Sequence, residues 1–137
     1  MSVERQVVIR ILRVAERINQ RMGDVLQPHR LTLPQYGVLE ALEGVGDEGL
    51  ACGEIAVRLP TRDPDITRLL DRLEARGLIH RVRGRPDRRV VRSQLTAEGR
   101  RLVAAIGVEM RGLHRDDLGR IGRRQLGTLH ALLGAAE

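Results

Sequence analysis

The stretch from Val82 to Gln94, VRGRPDRRVVRSQ, holds five arginines (Arg83, Arg85, Arg88, Arg89 and Arg92) against one acid, Asp87. Like charges at this density repel unless something anionic lies beside them. A guanidinium presents a planar fork of donors that matches phosphate or carboxylate oxygens, so the chemistry on offer is anion recognition rather than bond-making. Asp87, two residues before Arg89, is placed to hold that arginine in a forked ion pair and so aim it outward. Residues 79–92 together carry six arginines and one acid, a local charge of +5 in a chain whose formal net charge is +6. Lysine is absent and all 24 basic residues are arginine. That points to coding bias, so the position of the arginines argues more than their number. Positive charge focused in one tenth of a chain is the footprint of a polyanion binder; a merely solvated hairpin is the blander alternative.

Such a cluster needs a scaffold, and the apolar pattern supplies one. Residues 3–22 place Val7, Val8, Ile11, Leu12, Ala15, Ile18 and Met22 at helical spacing, with Gly23 and Pro28 as the predicted stop. In LTLPQYGVLEALEG, Thr32 and Gln35 have capping-box spacing, Pro34 falls in the first turn, and Gly44 ends the helix. A short strand is expected at 49–51. A short helix follows in GEIAVRL, burying Ile55, Ala56 and Leu59. Asp63 is expected to cap the next helix, with Pro64 at its first position and Gly77 at its end. Ile66, Leu69, Leu70 and Leu73 give that helix a single apolar stripe. Two helices parted by a few breaker residues predict a helix-turn-helix. LIHRVRG and RRVVRSQL then alternate about GRPD as a β-hairpin. Thr96 caps a further helix to about Asp117, and a last one starts near Gly122. The expected class is mainly α with a small β-hairpin.

On the helix at 63–76, turning Ile66, Leu69, Leu70 and Leu73 inward sends Arg68 outward, with Asp71 and Arg72 flanking it and Asp65 and Thr67 near the N-terminus. A reading helix contacts base edges from its N-terminal part. Arg68 suits a bidentate contact to guanine, and Thr67 suits a phosphate or a thymine methyl. Arg72 suits either the DNA backbone or an ion pair with Asp71 or Glu74. The hairpin at 79–94 makes a narrow finger that fits a minor groove of roughly 6 Å, whose potential is negative. Arg83, Arg85, Asp87, Arg88 and Arg89 are its candidate residues, with double-stranded DNA as the partner.

Here the motifs converge on a resemblance. ITRLLDRLEARGLIHR, followed by RGRPDRRVVRSQLTAEGRRL, resembles the MarR family of bacterial transcription regulators, and LTLPQYGVLEAL and EIAVRL match it too. The likeness spans essentially the whole chain. It implies a single domain over 1–137, with a winged helix-turn-helix core at 32–95 and dimerisation helices at 1–31 and 96–137. It implies a homodimeric repressor whose two wings straddle a palindromic operator, with Arg89 as the minor-groove residue. It also implies a small, anionic or phenolic effector held between the terminal helices and the core, where Arg17, Arg21, Met22, Tyr36 and Met110 are the candidates. The chain departs from the pattern at Asp65, where serine or threonine is common, and at Thr61. It has no Phe or Trp and a single Tyr, so an aromatic effector crevice is not expected.

The remaining readings are mostly exclusions. The terminal helices carry apolar stripes too long for a small core to cover, which argues for a dimer independently of the resemblance. Cys52 is expected to be a buried structural thiol. No cofactor and no metal are expected: the four histidines are scattered, and His114 with Asp117 is the only pair with suggestive spacing. No nucleophile–base pair or phosphate-binding glycine loop supports an enzyme. No apolar run reaches the roughly 18 residues of a membrane span, and the charged N-terminus lacks a secretory core, so a cytoplasmic location is expected. The alternative function is a winged-helix interaction module for an acidic protein. It predicts apolar anchors on the reading helix, where Asp65, Arg68, Asp71 and Arg72 stand instead. RNA binding predicts stacking aromatics, which the chain lacks.

Overall fold

The computed structural model describes residues 1–84 and 87–137. Its elements run α1 (Val3–Leu26), α2 (Leu33–Glu43), β1 (Leu50–Ala51), α3 (Cys52–Ala56), α4 (Ile66–Ala75), β2 (Ile79–Arg83), β3 (Val91–Leu95), α5 (Ala97–Leu118) and α6 (Arg123–Gly134). The described chain is mostly helical, with a three-stranded antiparallel sheet in the order β1-β3-β2. The predicted hairpin is present, from Ile79 opposite Leu95 to Arg83 opposite Val91. β1 adds a third strand, pairing Leu50 with Ser93 and Ala51 with Arg92. Gly49 permits this approach: its φ is +66°, and a Cβ there would stand 2.3 Å from the Ser93 carbonyl oxygen.

Local signals explain most boundaries. The capping box at α2 forms as its spacing predicts: Gln35 N–H donates to Thr32 Oγ1 at 3.3 Å, and Thr32 N–H donates to Gln35 Oε1 at 3.0 Å. Thr96 caps α5 by accepting from Gly99 N–H at 3.0 Å, while its own hydroxyl donates to the Gly77 carbonyl at 2.6 Å. Gly77 ends α4 with φ +71°, and Leu78 N–H bonds back to the Leu73 carbonyl, which closes the helix and turns the chain into β2.

Three expectations are corrected. α1 does not stop at Gly23 but runs to Leu26, which is completely buried. The glycine costs about 1 kcal/mol in a helix, and burial of a leucine outweighs it. α4 starts at Ile66, not at Pro64. Its cap is Asp65, whose Oδ1 accepts from Arg68 N–H at 3.0 Å, while Asp63 Oδ1 accepts from Asp65 N–H at 2.8 Å. A residue before proline is pushed out of the helical region, so Asp63 supports a turn ahead of the helix. α3 ends at Ala56, short of the expected Leu59; Ile55 is buried, Ala56 is exposed, and Leu59, beyond the helix, is only half-buried.

The core joins every layer: Leu26 of α1, Val38 and Leu39 of α2, Ile55 of α3, Leu73 of α4, and Val103 and Ile106 of α5 are all fully buried. α1 and α2 pack on α5, and α4 packs on α2 and β2. Outside this core, Val3, Val7, Val8, Ile11, Leu12 and Val14 of α1 and Leu129, Leu132 and Leu133 of α6 stay exposed.

Candidate nucleic-acid interface

α4 is held by its buried side, Ile66, Leu70 and Leu73. Asp65, Thr67, Arg68, Asp71 and Arg72 are all exposed. Among the described residues, the side chains of Arg68 and Arg72 form no hydrogen bond and no ion pair. The acids expected to pair with Arg72 are engaged elsewhere: Arg81 of β2 takes both, through Nη2 to Asp71 Oδ1 at 2.5 Å and to Glu74 Oε1 at 3.0 Å. Asp65 spends one carboxylate oxygen on its capping bond, which accounts for an acid at the helix start by local structure.

At the wing, Asp87 and Arg89 form the fork that their spacing predicts. Arg89 Nε donates to Oδ1 at 3.1 Å, Nη2 donates to Oδ2 at 3.2 Å, and Arg89 N–H also donates to Oδ1 at 3.0 Å. These bonds from Arg89 hold the Asp87 carboxyl below the usual aspartate range. Even so, the Arg89 side chain is 92% exposed. Arg83 Nη1 donates to the Arg88 carbonyl at 3.0 Å and braces the turn, leaving the Arg88 side chain in solvent. Arg85 lies outside the described residues.

The base of the wing is built from arginines that the sequence counts into the basic patch without revealing their structural partners. Arg92 of β3 donates from Nε to the Glu48 carbonyl and from Nη2 to the Gly49 carbonyl, both at 3.0 Å, and lies 3.2 Å from Glu54 of α3. The Glu54 carboxyl is held below the ordinary value, chiefly by the Ala51 N–H that it accepts and then by Arg92 and Arg58. Arg81 likewise holds down Glu74, mainly by its side-chain bond. At the C-terminal end of α4, Arg76 forks onto the Arg30 and His29 carbonyls at 2.6 and 2.8 Å, tying that end to the turn that follows α1.

The five residues expected in an effector crevice do not share one. Met22 and Tyr36 line a hollow of about 120 Å³ with Asn19, Leu33, Glu40 and Leu59. Burial, reinforced by the charge of Glu40, pushes the Tyr36 phenol up to about 12. Arg17 and Arg21 line a separate depression with Asp116, Asp117 and Arg120. Arg21 pairs with Asp117, so Asp117 is not held for a metal with His114. Met110 sits in the core. Cys52 is exposed, not buried as expected, because it opens α3 on its solvent side. Among the described residues no cluster of potential ligands fits a metal ion, and no helix is long and apolar enough to cross a membrane.

With this geometry in place, the likeness to known proteins is decisive. The MarR family profile matches residues 30–90, from the start of α2 to the wing. The regulator PecS of Dickeya dadantii is 31% identical over 139 residues, covering 100% of this chain and 84% of PecS. The chain belongs to the MarR family. The regulator TtmR of Methylorubrum extorquens is 40% identical over 101 residues, 74% of this chain, and the match spans 51% of TtmR, about half its length. The crystal structure of a MarR transcription factor from Planctomyces limnophilus is 33% identical, covers 98% of each chain and superposes with a TM-score of 0.73. The resemblance carried by the α4 and wing motifs is thus established over the whole fold, and the molecule is a MarR-family winged-helix transcription regulator.

Proposed function

We propose that this MarR-family regulator acts without catalysis, as a homodimeric repressor on a palindromic DNA operator, with α4 in the major groove and the wing in the minor groove. The observation that carries the reading is a division among its arginines. Arg68 and Arg72 on α4 and Arg88 and Arg89 on the wing stand exposed to solvent, while the arginines behind them are tied down. Guanidinium groups presented to solvent on two adjoining elements suit a phosphate backbone flanking exposed base edges. In this reading Arg68 reads a base. Thr67, Arg72, Arg83, Arg88 and Arg89 meet the backbone or the minor groove, and Asp65 and Asp87 hold Arg68 N–H and the Arg89 side chain in place. Arg85 belongs to the same charged finger.

The exposed apolar residues of α1 and α6 support the dimer. Residues 32–95 then form the reading core, and 1–31 and 96–137 form the pairing helices. Obligate interfaces of this kind bury roughly 2,000 Å² or more. A two-fold dimer spaces its reading helices about one DNA turn apart. The hollow at Met22 and Tyr36 is the candidate seat for a small effector that releases DNA; its size suits a compact molecule. The cytoplasm, where operators are found, is the corresponding location.

Selection of bound duplexes from a random pool tests the reading. An inverted repeat should emerge, and the protein should sediment as a dimer. A monomer that enriches no duplex at low salt overturns it.

A further inference from the structure

Arg81 belongs to neither group of exposed arginines. It stands in β2 opposite Ser93. β2 is an edge strand, and its outer side faces α4. There the Arg81 main-chain N–H donates to Glu74 Oε2 at 3.0 Å, while the side chain reaches Asp71 and Glu74 together. The side chain is only partly exposed, at 24%. One residue of the wing therefore engages both carboxylates on the flank of the reading helix and offsets half of their charge.

Helical spacing says what those carboxylates do otherwise. Side chains three or four positions apart on a helix are neighbours. For Asp71 those positions are Thr67, Arg68, Glu74 and Ala75, so Arg68 is the one cation at that spacing. For Glu74 they are Leu70, Asp71, Gly77 and Leu78, and none is a cation. Without Arg81, Asp71 repels Glu74 and turns toward Arg68. A guanidinium folded onto an intrahelical carboxylate has spent its fork and no longer presents two donors to a guanine edge.

We propose that Arg81 is a positioning residue for base reading: by occupying Asp71 and Glu74 it keeps the Arg68 guanidinium clear of its own helix and open to DNA. This rests on the DNA reading above. Arg81 touches no base and no phosphate; it acts through Asp71. The wing thereby contributes to specificity in the major groove, not only to affinity in the minor one.

The test is equilibrium binding to a selected duplex by the wild-type dimer, Arg81→Met, Asp71→Asn and the double variant, each checked for folding by circular dichroism. Methionine keeps the length of the apolar stem but carries no charge. Arg81→Met should bind about tenfold more weakly, the low end of what a bidentate base contact contributes, with relaxed preference at one base position per half-site. Adding Asp71→Asn to it should restore most of the affinity and the preference, although the clamp is still missing. Asp71→Asn alone should bind at least as well as wild type. Unchanged binding by Arg81→Met overturns the proposal. So does a loss that Asp71→Asn does not relieve, which would make Arg81 a brace only. A salt slope reduced by about 0.9 in Arg81→Met overturns it too, because that marks a direct phosphate contact. A wild-type protein that binds no duplex overturns the DNA reading, and this proposal with it.

Discussion

The tip and the base of the wing are made of the same residue and behave as opposites. At the tip, Arg88 and Arg89 lie beyond the last paired rung, Arg83 with Val91. Both are exposed, and Arg89 finds its partner in Asp87 within the turn. At the base, Arg81 and Arg92 face α4 and α3 and are engaged by carboxylates and backbone carbonyls. Exposure follows: 92% for Arg89 against 24% and 31% for Arg81 and Arg92. Charge density along the sequence therefore overstates the ligand-facing charge. Position in the strand register decides whether an arginine is tied into the fold or left in solvent.

The largest test of that contrast is Arg88→Ala with Arg89→Ala. Removing two cations at the tip should weaken duplex binding by more than tenfold and flatten the salt slope by up to about 1.8, two phosphate contacts. Thermal stability should stay within roughly 0.5 kcal/mol, as for surface changes generally. A smaller and inverse effect is expected from Arg92→Ala, which frees the carbonyls of Glu48 and Gly49 and the carboxylate of Glu54. Hydrogen bonds to a charged group contribute about 1.5–3 kcal/mol; with a third of the side chain in solvent, roughly 1 kcal/mol is expected, a few degrees in Tm. The salt slope should not change. An Arg92→Ala protein with full stability and weakened binding would erase the distinction.

The smallest effect is in pH. Glu54 and Glu74, which hold the base, have carboxyls lowered from 4.5 in the fold. A lowered carboxyl contributes stability above the unfolded value, and that contribution fades as pH falls through the folded one. The stability gap between wild type and Arg92→Ala should therefore hold from neutrality to about pH 5 and narrow below pH 4. Denaturant melts across that range would measure it, and a gap that widens in acid would contradict the assignment.

Features that depend on residues close in sequence are legible from the sequence alone. Thr32 with Gln35, Thr96, Gly77 and the Asp87–Arg89 fork all lie within a turn of the backbone that they serve. The family motifs cover the fold as a whole. The pairing of Arg81 with Asp71 and Glu74 is not legible, because it depends on which side of β2 faces α4. The sequence favours Asp63 as a cap because Pro64 then falls at the first helical position; in three dimensions the proline belongs to the turn ahead of the helix, and Asp65 is the cap. The spread of the expected effector residues has a related cause. Arg17, Arg21, Met22, Tyr36 and Met110 come from three helices, and their rotation about those helices' axes separates them into a hollow, a surface depression and the core.

Arg76 carries a mechanical consequence. Its two bonds to the Arg30 and His29 carbonyls fasten the exit of the long first helix to the end of the reading helix. The intervening turn cannot act as a slack hinge while they hold, so a tilt of the one helix is transmitted to the other as a lever transmits a push. Short bonds between a guanidinium and carbonyls are also poorly screened by salt. Raising the ionic strength should therefore weaken the proposed grip of the fingertip on DNA more than these two bonds, which makes the two separable by experiment.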